Sequence, residues 1–294
     1  MKMKSPLLGL AGLLLLSGCV HVPNQPAEAK TTPDPHFYVF LCLGQSNMEG
    51  FPGIEAPDQG PVDGRFQVLA AVNFPNQGRE QGRWYPAVPP LCRPSAGLCP
   101  ADYFGRTMVS NLPPNIQVGI VNVAIGGCKI ELFEKDTYQT YVATAPIWMT
   151  NTIRNYSGNP YQHLVAAAKL AQKRGVIKGI LLHQGESNTN DKEWPDKVKG
   201  VYHNLLQDLN LKAEEVPLLA GELVGADQKG ACASMNKIID ELPKTIPTAH
   251  IVSSAGCPCR PDHLHFTAAG YRELGTRYAQ TMLPLLGYPQ PATQ

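Results

Sequence analysis

The 294-residue sequence has no charge surplus: its formal net charge is +1, and no long run of Lys or Arg appears. Binding to a polyanion draws on a basic surplus or a basic face, so nothing argues for nucleic acid as a partner. It has no long hydrophobic run either. The apolar stretch from Pro6 to Leu16 is about eleven residues, short of the roughly twenty that span a bilayer. Internal repeats, low-complexity blocks and a second hydrophobic segment are missing, which excludes repeat arrays. Cys257-Pro258-Cys259 has no second Cys/His pair at zinc-site spacing, so no metal site is assigned. What remains is 43% apolar and 17% charged. That is ordinary for a globular chain, long enough for one α/β domain and short for two.

The first residues differ in kind from the rest. Lys2 and Lys4 precede the apolar run, and Ser17, Gly18 and Cys19 follow it. A positive start, a short apolar core and small residues are the pattern of a signal peptide. Leu16-Ser17-Gly18-Cys19 resembles the lipobox of bacterial lipoproteins, which implies cleavage before Cys19 and lipidation of its thiol. An ordinary signal peptide with a chance Cys is the other reading. Residues 1–18 are thus expected to be the signal peptide and 19–36 a lipid-anchored tether rich in Pro, Asn, Gln and Ala. The implied location is the bacterial cell envelope, anchored in the outer membrane or periplasm, or secreted. Export permits disulfides. Cys92 and Cys99 could close a small loop, and Cys232, Cys257 and Cys259 are candidates for a second bridge. Cys42, inside an apolar run, reads as a buried free thiol.

Beyond the tether, strand-like and helix-like segments alternate across residues 37–288, leaving 289–294 as a tail. Phe37 to Leu43, Ile116 to Ala124 and Val176 to Leu182 are continuous apolar runs, as strands buried on both faces would be. Val216 to Ala220 and His250 to Ser253 are shorter. Helical patterns cover Ala101 to Leu112, Tyr161 to Arg174 with Gly175 as C-cap, Pro195 to Leu209, and Thr267 to Leu286 with Thr267 as N-cap. This order predicts a three-layer α/β/α sandwich, flavodoxin-like, with about five parallel strands. Phe51 to Pro100 and Glu131 to Pro160 show no clear period and read as loops that shape a binding site.

Parallel α/β sheets hold ligands at the carboxyl ends of their strands. There stand Gly44-Gln45-Ser46-Asn47-Met48, then Gly126-Gly127, then His183-Gln184-Gly185-Glu186-Ser187-Asn188, and last Asp262-His263-Leu264-His265-Phe266. Together they offer a hydroxyl, backbone N–H groups, an amide and a His/Asp pair, the parts of an acyl-transfer site. A serine needs a base, the base needs an acid to fix its tautomer, and the oxyanion needs preorganised donors. Ser46, at a turn into a helix, is also a plausible plain cap. Asp262 with His263 and His265 could be read as metal ligands, though no further ligand set accompanies them.

These four blocks resemble the SGNH hydrolase superfamily, and within it the carbohydrate esterases grouped with acetylxylan esterases and sialate O-acetylesterases. The resemblance runs from about Phe37 to Tyr288. It implies an esterase removing O-acetyl groups from a polysaccharide or oligosaccharide, acetylxylan esterase-like, with a sialate O-acetylesterase as the alternative. A non-catalytic carbohydrate-binding lipoprotein is the reading from another class. The implied roles are Ser46 as nucleophile, His265 as base and Asp262 as its acid, with Glu186 a supporting acid or a rival for that place. The implied oxyanion donors are the N–H groups of Ser46 and Gly127 and the side chain of Gln184, which stands where the superfamily has Asn. No cofactor is implied. Cys128 follows the glycines where Thr or Ser is common; it could pack, pair or narrow the pocket. Trp84, Tyr85 and Trp148 could stack on sugar rings or simply pack.

Overall fold

The computed structural model describes residues 32–289. The expected signal peptide at 1–18 and residues 19–31 of the expected tether, Cys19 included, lie outside the described residues, as do residues 290–294. A seven-stranded sheet runs through the centre in the order β3-β2-β4-β1-β5-β6-β7. Its strands are β1 (Phe37–Gly44), β2 (Phe66–Leu69), β3 (Trp84–Pro86), β4 (Gln117–Ala124), β5 (Val176–His183), β6 (Leu218–Gly221) and β7 (Ala249–Val252). All neighbours pair in parallel except β2 with β3, which is antiparallel at the edge. The five expected strands are present. The two additional ones, β2 and β3, lie in the stretch from Phe51 to Pro100 and are only four and three residues long.

The helices are α1 (Ser46–Glu49), α2 (Pro100–Asn111), α3 (Tyr138–Thr144), α4 (Ile147–Arg154), α5 (Pro160–Gln172), α6 (Trp194–Leu209), α7 (Asn236–Ile239), α8 (Leu242–Thr245) and α9 (Ala268–Leu285). Among the described residues, no helix is long and apolar enough to cross a membrane. Thr267 caps α9 as expected, its hydroxyl accepting from the Gly270 N–H at 3.1 Å. Pro195 sits in the first turn of α6. At the end of α5 the cap is Lys173, two residues before the expected Gly175.

Alternation along the strands makes two cores. Val39, Leu41 and Leu43 of β1 join Leu164 and Ala168 of α5 and Val198 and Leu205 of α6 on one face. Phe40 and Cys42 join Phe104 and Met108 of α2 and Tyr278 and Met282 of α9 on the other. Successive strand side chains point to opposite faces, so a strand covered on both sides reads as an unbroken apolar run.

All seven cysteines in the described residues are free. The expected Cys92–Cys99 loop is corrected by the direction of the thiols. Cys92 Sγ faces the Ala124 carbonyl and the Tyr156 hydroxyl, while Cys99 Sγ faces the Asn122 amide. Nor do Cys232, Cys257 and Cys259 pair. Cys232 Sγ lies by the Glu186 carbonyl, Cys259 Sγ by the Gln228 carbonyl, and Cys257 is buried among apolar residues.

Candidate active site

The carboxyl ends of β1, β4 and β5 bring the blocks together. Gly44 ends β1 at φ 152°, and a Cβ there would strike the His183 carbonyl. The chain therefore turns sharply, the Gln45 N–H bonds to that carbonyl at 3.1 Å, and Ser46 opens α1. This helix is a single turn of four residues, so it contributes little of the dipole that a longer helix would.

Asp262 to His265 form the facing turn. His263 holds φ 55°, a left-handed conformation that tightens it. Asp262 Oδ1 accepts from the Leu264 and His265 N–H groups at 2.9 and 3.0 Å. Its Oδ2 accepts from His265 Nδ1 at 2.9 Å, and His265 Nε2 lies 2.9 Å from Ser46 Oγ. With Nδ1–H donating to the carboxylate, Nε2 presents a lone pair to the serine hydroxyl. Desolvation pushes the Asp262 carboxyl up, but the His265 N–H, the His265 ring and the Leu264 N–H outweigh it and hold the group at about 2. His263 turns elsewhere, with Nδ1 3.1 Å from the Gln228 carbonyl. Asp262, His263 and His265 thus do not converge as ligands, and no group of three metal-binding side chains does so among the described residues.

Beside Ser46 lies the Gly126-Gly127 turn, and a Cβ on Gly126 would come within 3.7 Å of Ser46 Cβ. The Gly126 N–H donates to Glu49 Oε2 at 2.8 Å, and Glu49 Oε1 accepts from Arg93 Nε. The Ser46 and Gly127 N–H groups have no protein acceptor among the described residues. Gln184, expected as a third oxyanion donor, is committed elsewhere. Its amide nitrogen donates toward Gln45 Oε1, the Cys128 carbonyl and Asn188 Oδ1, and its oxygen accepts from Trp194 Nε1. Two protons shared among three acceptors leave none for a substrate, and the side chain is buried.

Glu186 is buried but does not reach His265; its Oε1 accepts from Asn47 Nδ2. Its Oε2 is buried with no partner. Desolvation raises the carboxyl to about 7 against the opposing hydrogen bonds from its own N–H, Asn47 and the Gly185 N–H. Asn47 also donates to the Leu264 carbonyl at 3.0 Å and accepts from the Tyr271 hydroxyl. It therefore ties the serine turn to the histidine turn, a role hidden in the sequence because its partners lie 139 to 224 residues away. The Glu49–Arg93 pair was likewise unpredicted. His183, inside the third block, is structural: burial lowers it to about 3, and its Nδ1 bonds the Tyr278 hydroxyl.

Cys128 packs, with Sγ 3.6 Å from the Gly44 carbonyl. Trp84 is far from the serine, tilted against Phe37 at the opening end of β1, with ring centroids 4.8 Å apart. The Tyr85 hydroxyl accepts from the Glu80 N–H at 2.9 Å. Trp148 does lie at the site, its ring edge over Gly127.

The class defined here is a carboxylic ester hydrolase on a doubly covered, mostly parallel sheet. Residues 36–284 match the family profile described as "Carbohydrate esterase, sialic acid-specific acetylesterase", and the chain belongs to that family. It is 24% identical over 281 residues to a "Probable carbohydrate esterase" of Arabidopsis thaliana, covering 89% of this chain and 96% of that protein. The crystal structure of the Arabidopsis protein superposes with a TM-score of 0.65 at 22% identity, over 85% of this chain and 99% of the other. NanS gives 0.63 at 19%, over 87% and 99%. A carbohydrate acetylesterase from Xanthomonas citri gives 0.56 at 19%, over 82% and 55%.

Proposed function

We infer that the chain is a serine esterase that transfers an acetyl group from a carbohydrate to water through an acetyl-enzyme. The observation that supports this is the continuous chain from Asp262 through His265 to Ser46, two contacts of 2.9 Å each. Ser46 Oγ attacks the acetyl carbonyl as His265 Nε2 takes its proton. The oxyanion forms beside the unclaimed N–H groups of Ser46 and Gly127. His265 gives that proton to the departing sugar oxygen as its C–O bond to the acetyl group breaks, which frees the sugar hydroxyl. Water then attacks the acetyl-serine as His265 takes its proton; the Oγ–C bond breaks, acetate leaves and His265 returns the proton to Ser46 Oγ. Asp262 holds the imidazole tautomer and stabilises its charged form. Glu186 has a supporting place, through Asn47.

Two sugars compete. Acetylated xylan is the expectation from the blocks, whereas the family description favours O-acetylated sialic acid. Acetate release measured side by side on both substrates discriminates them. Release from neither, with 4-nitrophenyl acetate still hydrolysed, would overturn the carbohydrate reading. We further propose that the protein acts at the cell envelope, tethered through lipidated Cys19. Incorporation of labelled palmitate that persists in Cys19→Ser would contradict this.

A further inference from the structure

Six large apolar side chains are exposed among the described residues: Phe51, Val88, Ile147, Trp148, Leu170 and Leu285. Phe51 and Trp148 border the reacting atoms, and Ile147 precedes Trp148 in α4. That helix is anchored by buried Met149 and Ile153, which leaves Ile147 and Trp148 turned outward. Exposed apolar groups gathered at the rim of a polar cleft are a feature of ligand-binding surfaces.

The two rings differ in what they can still touch. Phe51 is 49% exposed, but its ring is already engaged by two side chains. It stacks on His265, with centroids 3.7 Å apart and planes 10° from parallel, and the Arg260 guanidinium covers the ring at 5.2 Å. Phe51 is thus a wall that fixes the imidazole plane. Trp148 is 54% exposed and stacks on no aromatic or cationic group among the described residues. Its Nε1–H has no acceptor there. Gly127 adopts φ 69°, and a Cβ on it would lie 2.8 Å from Trp148 Cη2. The indole therefore overhangs the Gly127 turn, and an ester whose oxyanion meets the Gly127 N–H lies beside the indole.

We propose that Trp148 is the specificity platform of the site: its open face stacks on the C–H face of the sugar ring bearing the acetyl group, and its Nε1–H can donate to a ring hydroxyl. An indole suits this because it is apolar on its face and polar at one edge. The proposal rests on the carbohydrate reading above, and its test separates the two. Sugar binding is measured in the Ser46→Ala background, where turnover is removed, by calorimetric titration with O-acetylated N-acetylneuraminic acid and with an acetylated xylo-oligosaccharide. Adding Trp148→Ala is expected to weaken binding of the accepted sugar about 10- to 100-fold, the loss of one buried aromatic contact. Trp148→Phe should recover part of it. In the catalytically intact protein, Trp148→Ala should raise KM for that sugar ester by a factor at least about tenfold larger than any change in kcat/KM for 4-nitrophenyl acetate, whose alcohol is not a sugar. Equal loss on both esters would make Trp148 a support for the Gly127 turn and overturn the platform. So would unchanged sugar binding in the Trp148→Ala pair, or no saturable binding of either sugar. A wild type that binds sugar through Trp148 but releases no acetate from it would sink the esterase reading alone.

Discussion

Glu186→Gln tests the buried Glu186 carboxyl separately from His265, the proposed base. In the folded protein Glu186 titrates at about 7, against an ordinary value of 4.5, because burial outweighs its hydrogen bonds. Between those values the folded protein keeps a proton that the unfolded chain has released. Stability therefore falls as pH rises through this window, and the loss is complete above the folded value. At about 1.4 kcal/mol per unit, the window corresponds to about 3 kcal/mol as an upper figure. Gln is isosteric, keeps an oxygen for Asn47 Nδ2, and carries no charge at any pH. Its amide nitrogen would occupy the place of the unpartnered Oε2, a constant cost of about 1–3 kcal/mol. The assay is urea unfolding of both proteins at pH 5 and pH 8. The wild type should lose stability relative to Glu186→Gln between the two, by a difference approaching 3 kcal/mol. Identical pH slopes would refute the buried, proton-binding Glu186. Esterase activity near pH 8 should stay within about tenfold of wild type, since Glu186 acts on the site through Asn47.

Other substitutions carry distinct expectations. Asp262→Asn should lower kcat by about 10³- to 10⁴-fold, by losing the tautomer that presents Nε2 to Ser46; a smaller effect than Glu186→Gln would transfer the acid role to Glu186. Gly127→Ala must strain a φ of 69° in the turn that presents the Gly127 N–H, so kcat should fall about 10²-fold, measured on 4-nitrophenyl acetate, with the fold retained by circular dichroism. Glu49→Gln leaves Arg93 without its carboxylate and loosens the Gly126 N–H, so thermal unfolding should reveal a loss of about 3 kcal/mol together with reduced kcat.

The strands β1, β4 and β5 were legible because burial on both faces makes their sequences continuous apolar runs. The edge strands β2 and β3 were not. Four and three residues between Gly- and Pro-containing turns carry no period; β2 is placed by its pairing with β4, and β3 is added outside β2. Helix α4 escaped notice for a related reason: its outward side holds Ile147 and Trp148, which blurs the polar face that marks a surface helix. At the site, the spacing of Asp262 and His265 could be read directly, since the contact is local. Asn47, Glu49 with Arg93, and the commitment of Gln184 to Asn188 and Gln45 depend on which way side chains point in the assembled fold. The cysteines teach the same lesson, since spacing placed Cys92 near Cys99 without revealing that their thiols face different partners.

The most direct test is to follow acetate release from an O-acetylated sugar by wild type and by Ser46→Ala, while examining the quenched wild type by mass spectrometry for an acetyl group on Ser46. The expected result is a fall of at least about 10³-fold in the variant and an acetyl adduct confined to Ser46 in the wild type. Undiminished release by Ser46→Ala, with no adduct on the wild-type protein, would contradict the account at its centre.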